Sequence, residues 1–353
     1  VILQVDSVRQ FRIGDRAPSV IGATHNKRFY ALDLQAGRAA VFISLGADAP
    51  DAAKRLFDQI RPVHEMLRAA GVDLVPLAPQ ASSYAAAFAD DEDARELVVH
   101  VVEAGGLERA KHQDRPLAMA IDRSGRIVHL EPLDDPADMT ALYRRIAPRL
   151  AAEPPRVMQS SAPVLILPNL ISADTCAEII AHFEASPHQA GLMASLDNDA
   201  PTIKFDESKK KRRDMELAPE SPLHRDMLAV LAERCVPEIK RAFQSDITFA
   251  DRILIARYDD TGGYFKRHRD NAAPQTAFRE FAVSINLNTH EYEGGELLFP
   301  EYDDHRYSPP AGGAIVFSAS LLHEAAPVTR GRRYVLLSFL CSAAAQGRII
   351  QAA

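Results

Sequence analysis

The sequence predicts a two-domain protein: an α/β domain, then a mainly β domain supported by helices. Three observations carry this. At about 150 residues per domain, 353 residues make roughly two. Strand-like and helix-like segments alternate up to about Leu150, whereas further on two helix patterns come first and strands follow. Between them, Ala151 to Arg156 (AAEPPR) carries paired prolines, which stop a helix and cannot join a sheet. The boundary is therefore drawn at 1–155 and 156–353.

In the first domain, Ala39 to Ser44 (AAVFIS) is a short apolar strand. Ala52 to Ala70 is helical by its spacing, with Leu56, Ile60, Val63 and Leu67 on one stripe. Val72 to Ala78 reads as a strand and Glu96 to Ala104 as a further helix. Leu117 to Asp122 and Arg126 to Leu130 form a hairpin around Ser124-Gly125, and Met139 to Leu150 closes with a helix. In the second domain, Ser172 caps a helix to about Glu184, with Asp174 in its first turn. A second helix runs from Ser221, with Pro222 at its first position, to about Phe243. Strands are expected at Ile253–Tyr258, Phe281–Asn288, Glu296–Phe299, Ala314–Ser318 and Tyr334–Cys341, giving an antiparallel sheet or barrel buttressed by helices.

Composition excludes several classes. Hydrophobic residues make up 47% and charged residues 25%, values of a globular chain rather than a disordered one. No apolar run approaches the roughly 18 residues of a spanning helix, so no membrane partner is expected. A net charge of -7 argues against general nucleic-acid binding. Three cysteines make no disulfide framework, which fits a reducing, cytoplasmic setting, and Cys176, Cys235 and Cys341 read as packed thiols. No N-terminal signal sequence is visible, and the start at Val1 rather than Met leaves room for a removed upstream segment.

His-x-Asp occurs three times, so geometry must choose among them. Two ligands at i and i+2 share one side of a strand but lie about 200° apart around a helix. His224 and Asp226 sit in the capped helix and are expected at the surface. His112 and Asp114, with His129 nearby, lie in a polar lead-in to a strand with no further supporting residues. His268 and Asp270 are different. They end the run Tyr258 to Asn271 (YDDTGGYFKRHRDN), and Gly294 to Leu297 (GGEL), Pro310 to Ser318 (PAGGAIVFS), His323 and Arg333 follow. Two imidazoles and a carboxylate with open positions suit non-haem Fe(II) oxygen chemistry. The kinase reading of HRD fails, because no DFG and no glycine-rich ATP loop accompany it.

From about Val164 to Cys341 the sequence resembles the prolyl 4-hydroxylase-like branch of the Fe(II)/2-oxoglutarate-dependent oxygenases. Tyr258 with the HRD pair, GGEL, and His323 to Tyr334 (HEAAPVTRGRRY) carry the resemblance. It implies a double-stranded β-helix (jelly roll) with supporting helices, with iron near its mouth. It implies that His268, Asp270 and His323 hold Fe(II), that Arg333 pairs with the distal carboxylate of 2-oxoglutarate, and that Tyr258 donates to 2-oxoglutarate. A guanidinium suits the carboxylate because its planar fork matches it bidentately. Asn286 stands near where some relatives place a second tyrosine. Strand alternation should send Arg332 outward. With Asp270 filling the third protein position, hydroxylation is expected rather than halogenation. The expected partners are 2-oxoglutarate, dioxygen and an amino-acid-type substrate, with ascorbate as a candidate auxiliary reductant.

From about Phe11 to Leu150 the sequence resembles the peroxiredoxin branch of the thioredoxin fold, on Gly14 to Pro18 (GDRAP) and Arg115 to His129 (RPLAMAIDRSGRIVH). That chemistry needs a cysteine thiolate after Ala39–Ser44, where the chain reads LGADAPDAA, and the first cysteine is Cys176. Thiol peroxidase activity is therefore excluded, leaving a docking, dimerising or substrate-presenting role, with a homodimer as the candidate assembly. Lys209 to Arg213 (KKKRR) reads as a solvated loop, or functionally as a mobile lid. The leading expectation is an Fe(II)/2-oxoglutarate hydroxylase. A degenerate, non-catalytic binding or scaffold protein is the alternative, and a metal-dependent isomerase a third option that Arg333 disfavours.

Overall fold

The computed structural model describes residues 3, 10–35, 37–45, 50–80, 82–103, 116–134, 137–150, 157–197 and 200–352. The chain divides into two units, Ser7–Pro155 and Arg156–Ala353 with Val1–Asp6. Leu3 illustrates the second assignment, since its amide donates to the Thr248 carbonyl. The AAEPPR segment, residues 46–49 after the first apolar strand, Arg115, and the pair His112 and Asp114 lie outside the described residues.

The first unit is a seven-stranded sheet in the order Phe29–Ala31, Ile21–Thr24, Val99–Glu103, Val72–Pro79, Ala39–Ser44, Leu117–Ile121, Ile127–Pro132. Ala39–Ser44, Val72–Pro79 and Val99–Glu103 run parallel, while the last two strands form an antiparallel hairpin. The helix Pro50–Ala69 makes the parallel crossover, burying Leu56, Ile60, Val63 and Leu67 as its stripe requires. One expectation fails: 99–103 is a strand, and the helix lies earlier, at Glu92–Leu97. Asp91 caps that helix by accepting from the Ala94 amide, and Val98 is already extended. The β-branched run that follows (VVHVV) favours a strand.

In the second unit, consecutive strands pass alternately to two facing sheets. Phe249–Asp259, Phe281–Asn286, Ala314–Ser318 and Arg332–Cys341 build the larger sheet. Tyr264–His268, Leu297–Leu298 and His323–Ala325 build the smaller one, with Tyr307 bridged to Leu297. All these pairings are antiparallel. This alternation is the jelly-roll architecture expected from the sequence. Strand periodicity explains the two-sided core. Ile253 and Ile255 pack with Cys176, Ile179, Phe183 and Leu231 on the helix side. Leu254, Ala256 and Tyr258 pack with Leu297, Phe317 and Val335 between the sheets.

Ser172 caps Ala173–Ala185 by accepting from Thr175. The second helix, from Pro222 to Phe243, passes through a π-helical turn at Leu231–Cys235. Pro237 lacks an amide and crowds the preceding turn, and the wider turn accommodates it. The three cysteines are buried. His224 departs from expectation, since it is buried beneath this helix while Asp226 remains exposed.

Among the described residues, every ligand-type side chain expected to bind iron lies in the second unit. A fragment starting at Val157 is therefore expected to match the full chain in titrations with Mn(II) and 2-oxoglutarate. A well-folded fragment that binds neither would make the first unit part of the site.

Candidate metal centre

Antiparallel pairing of Tyr264–His268 with His323–Ala325 sets His268 directly opposite His323. Their ring centroids lie 4.2 Å apart. Asp270 sits in the turn just past its strand rather than on it, anchored by its amide to the Ala319 carbonyl at 2.9 Å. Its Oδ1 is 3.5 Å from His268 Nε2 and its Oδ2 is 3.5 Å from His323 Nε2. One ligand atom from each of the three falls within 4.8 Å of the others.

The imidazoles are oriented alike. His268 Nδ1 donates to the Lys266 carbonyl at 2.7 Å, and His323 Nδ1 to the Leu321 carbonyl at 3.0 Å. A carbonyl only accepts, so each Nδ1 carries a proton and each Nε2 is the nitrogen left facing Asp270, the orientation that metal-binding histidines require. Phe265 stacks on His268, and Phe317 packs edge-on against His323. Burial pushes His323 down to about 4, partly opposed by Asp270. Burial would raise Asp270, but the neighbouring imidazoles of His323 and His268 hold it at about 2. At neutral pH His323 and Asp270 are thus already in ligating form.

Tyr258 and Arg333 share the cavity with this cluster. They are register partners on adjacent strands, both buried, with the guanidinium 5.1 Å from the phenol ring. Arg332 is exposed, as alternation requires. Arg333 Nη2 donates to Asn286 Oδ1 at 3.2 Å, and Asn286 is itself fixed by donation to the Pro309 carbonyl. Arg333 Nε has no hydrogen-bond partner, and among the described residues no carboxylate pairs with this guanidinium. The Ser284 hydroxyl on the same cavity wall is likewise buried without a partner. A buried cation lacking its anion is costly, so the cavity is built to receive one. The GGEL motif contributes here: Gly295 has φ +73°, and a Cβ there would lie 2.7 Å from Arg333 Cδ.

The charged segment overturns the expectation of a solvated loop or lid. Lys210–Lys211 is a strand paired with Tyr264 and Phe265, and Arg213–Glu216 joins the larger sheet. Lys210, Arg212 and Asp214 fall on alternate positions and turn inward together, whereas Lys211 reaches the Thr261 carbonyl and Arg213 reaches His188. Lys210 Nζ donates to Asp214 Oδ2 at 2.9 Å and to the Leu192 carbonyl. Arg212 Nε lies 2.7 Å from Asp214 Oδ1. The inward side of the segment is packed because Asp214, just past the run, pairs with both Lys210 and Arg212. The K-x-R-x-D alternation is the sequence signal that marks it.

Burial and the adjacent Arg212 push Lys210 down to about 7 against the 10.5 of a free ammonium, despite Asp214. Between those values the unfolded chain binds more protons, so this group's contribution to stability rises with pH. Relative to Lys210→Met, the protein should therefore gain stability as pH rises through that window, read from urea midpoints. A pH-independent difference would mean that Lys210 is fully charged in the folded state.

Residues 253–341 match the family model of the 2OG-Fe(II) oxygenase superfamily. A PKHD-type hydroxylase of Picosynechococcus is 31% identical over 121 residues, 31% of this chain and 55% of that protein. One of Hyphomonas neptunium is 37% identical over 98 residues, 25% of this chain and 42% of that protein. The chain thus spans about half the length of these curated relatives. A solved Pseudomonas putida prolyl-4-hydroxylase is 18% identical with a TM-score of 0.41, covering 51% of this chain and 93% of that one. The C-terminal region of the chain carries a 2OG-Fe(II) oxygenase domain. That family uses Fe(II) and 2-oxoglutarate, and no described helix is long and apolar enough to cross a membrane.

Proposed function

We propose that the protein is an Fe(II)- and 2-oxoglutarate-dependent dioxygenase that hydroxylates an unactivated C–H bond. The substrate class is a prolyl or other amino-acid side chain in a protein, a peptide or a small biosynthetic intermediate. The observation that carries this is one cavity holding both the His268–Asp270–His323 cluster and a buried, anion-free Arg333. His268, Asp270 and His323 would hold iron, which when bound supplies dioxygen activation coupled to oxidative decarboxylation of 2-oxoglutarate to succinate. Arg333 binds the distal carboxylate and Tyr258 donates to the same co-substrate, fixing its orientation. Leu297, Phe317 and Leu337 on the cavity wall exclude water. A wider cavity, lined by Leu192, Gln275, Arg279 and Phe339, opens onto His268 and Asp270 and would admit the primary substrate. The first unit, lacking a cysteine at the expected position, serves in docking, dimerisation or substrate presentation.

Succinate release is the test, measured with Fe(II), ascorbate and 2-oxoglutarate against a panel of peptides and amino-acid metabolites. The reading requires metal-dependent succinate formation stimulated by at least one compound. A protein that binds both ligands yet forms no succinate would favour the non-catalytic alternative.

A further inference from the structure

We propose that Arg212 is a positioning residue for 2-oxoglutarate, acting by holding the Tyr258 hydroxyl as a one-way donor into the co-substrate cavity. This rests on the oxygenase reading above. Arg212 Nη1 donates to the Tyr258 hydroxyl oxygen at 2.8 Å. A guanidinium never accepts, so the phenol oxygen is the acceptor in this bond and its own proton must point elsewhere. Tyr258 is 3% exposed, and among the described residues its hydroxyl donates to no protein group. Both side chains line the cavity that holds Arg333 and His268. Accepting from a cation strengthens a hydroxyl as a donor, and an incoming carboxylate or oxo oxygen is the acceptor it lacks.

Arg212 is itself fixed. Its Nη2 donates to Asp214 Oδ2 at 3.2 Å, its Nε lies 2.7 Å from Asp214 Oδ1 as an ion pair, and its guanidinium lies 5.5 Å from the Phe265 ring that stacks on His268. Lys210 holds Asp214 from the other side. Gly191 closes the cluster: a Cβ there would lie 2.6 Å from Lys210 Cε and 2.8 Å from Asp214 Oδ2. Lys210, Asp214 and Arg212 thus form a rigid arm whose far end is the Tyr258 hydroxyl.

The test titrates 2-oxoglutarate into the full-length protein loaded with Mn(II) in the absence of oxygen. Tyr258→Phe, which loses a hydrogen bond to a charged acceptor, should weaken binding roughly ten- to hundredfold. Arg212→Gln should weaken it about three- to tenfold, but less than about twofold when combined with Tyr258→Phe. Arg212→Lys keeps a cation beside Asp214 and so preserves the fold, but one ammonium cannot span both Asp214 and Tyr258, and it should behave as Gln does. Unchanged Mn(II) affinity reports that each variant is folded around its metal site. A loss of the same size on top of Tyr258→Phe, or full recovery with Lys, would overturn the inference and leave Arg212 a structural ion pair. A wild-type protein that binds Mn(II) but no 2-oxoglutarate would instead overturn the oxygenase reading, and this inference with it.

Discussion

Replacing His268 or Asp270 with Ala is expected to abolish iron binding and turnover. Each removes one of the three proposed ligands that cluster among the described residues, and the remaining two cannot recreate the cluster. His268 and His323 come from neighbouring strands, and Asp270 comes from the turn pinned to Ala319. The loss should exceed the roughly 10- to 100-fold cost of removing an outer-shell partner. Asp226→Ala is the matched control. It belongs to another His-x-Asp pair, but helical spacing turns it to solvent while His224 points inward. Iron affinity measured by titration and succinate formation should fall together in the first two variants and stay near wild type in the control. Wild-type turnover in His268→Ala would remove this cluster from the reaction.

Arg333→Ala should weaken 2-oxoglutarate binding by roughly thirty- to several-thousand-fold, the range for truncating one partner of a buried charge pair at about 2–5 kcal/mol. The cost is high because the guanidinium is 2% exposed and its hydrogen bond goes to Asn286, a neutral group. Iron affinity should change far less, since Arg333 supplies no atom to the His–Asp–His cluster. Arg333→Lys should recover only part of the loss, because a point charge does not reproduce the bidentate fork. An unchanged 2-oxoglutarate affinity in Arg333→Ala would shift the role to another cation on the cavity wall, which Arg212 also lines.

Much of the fold is legible in the sequence because local rules and tertiary packing agree. The stripe Leu56, Ile60, Val63 and Leu67, the Ser172 cap and the Ser124-Gly125 hairpin each satisfy a short-range requirement that burial then rewards. The segment 99–103 defeats sequence reading because a short apolar run carries no period that separates helix from strand. Only pairing with Val72–Pro79 and Ile21–Thr24 decides it. His224 escapes it for a related reason. Spacing excludes joint chelation with Asp226, but which face of the helix meets the core is fixed by the sheet beneath it.

By itself, the sequence determined the kinds of residue and their order: two histidines, an aspartate and an arginine at spacings that adjacent strands of a small barrel can bring together. It also determined that the stretch just after the first apolar strand holds no cysteine, the first in the chain being Cys176, so the first unit has no thiol of its own whatever its fold. Only the tertiary structure decided which charges are buried. A run of five basic residues reads as solvated, because sequence alone weighs each charge against water. Folding places Asp214 between Lys210 and Arg212 and aims Arg212 at the Tyr258 hydroxyl, where contact at hydrogen-bond distance offsets the desolvation. It also left Arg333 without a carboxylate among the described residues, because the strands that bury it bring Asn286 rather than an acid to its side. Charge balance in a cavity depends on groups as far apart in sequence as Arg212 and Arg333, and proximity between them exists only once Arg213–Glu216, Phe249–Asp259 and Arg332–Cys341 have paired side by side in one sheet.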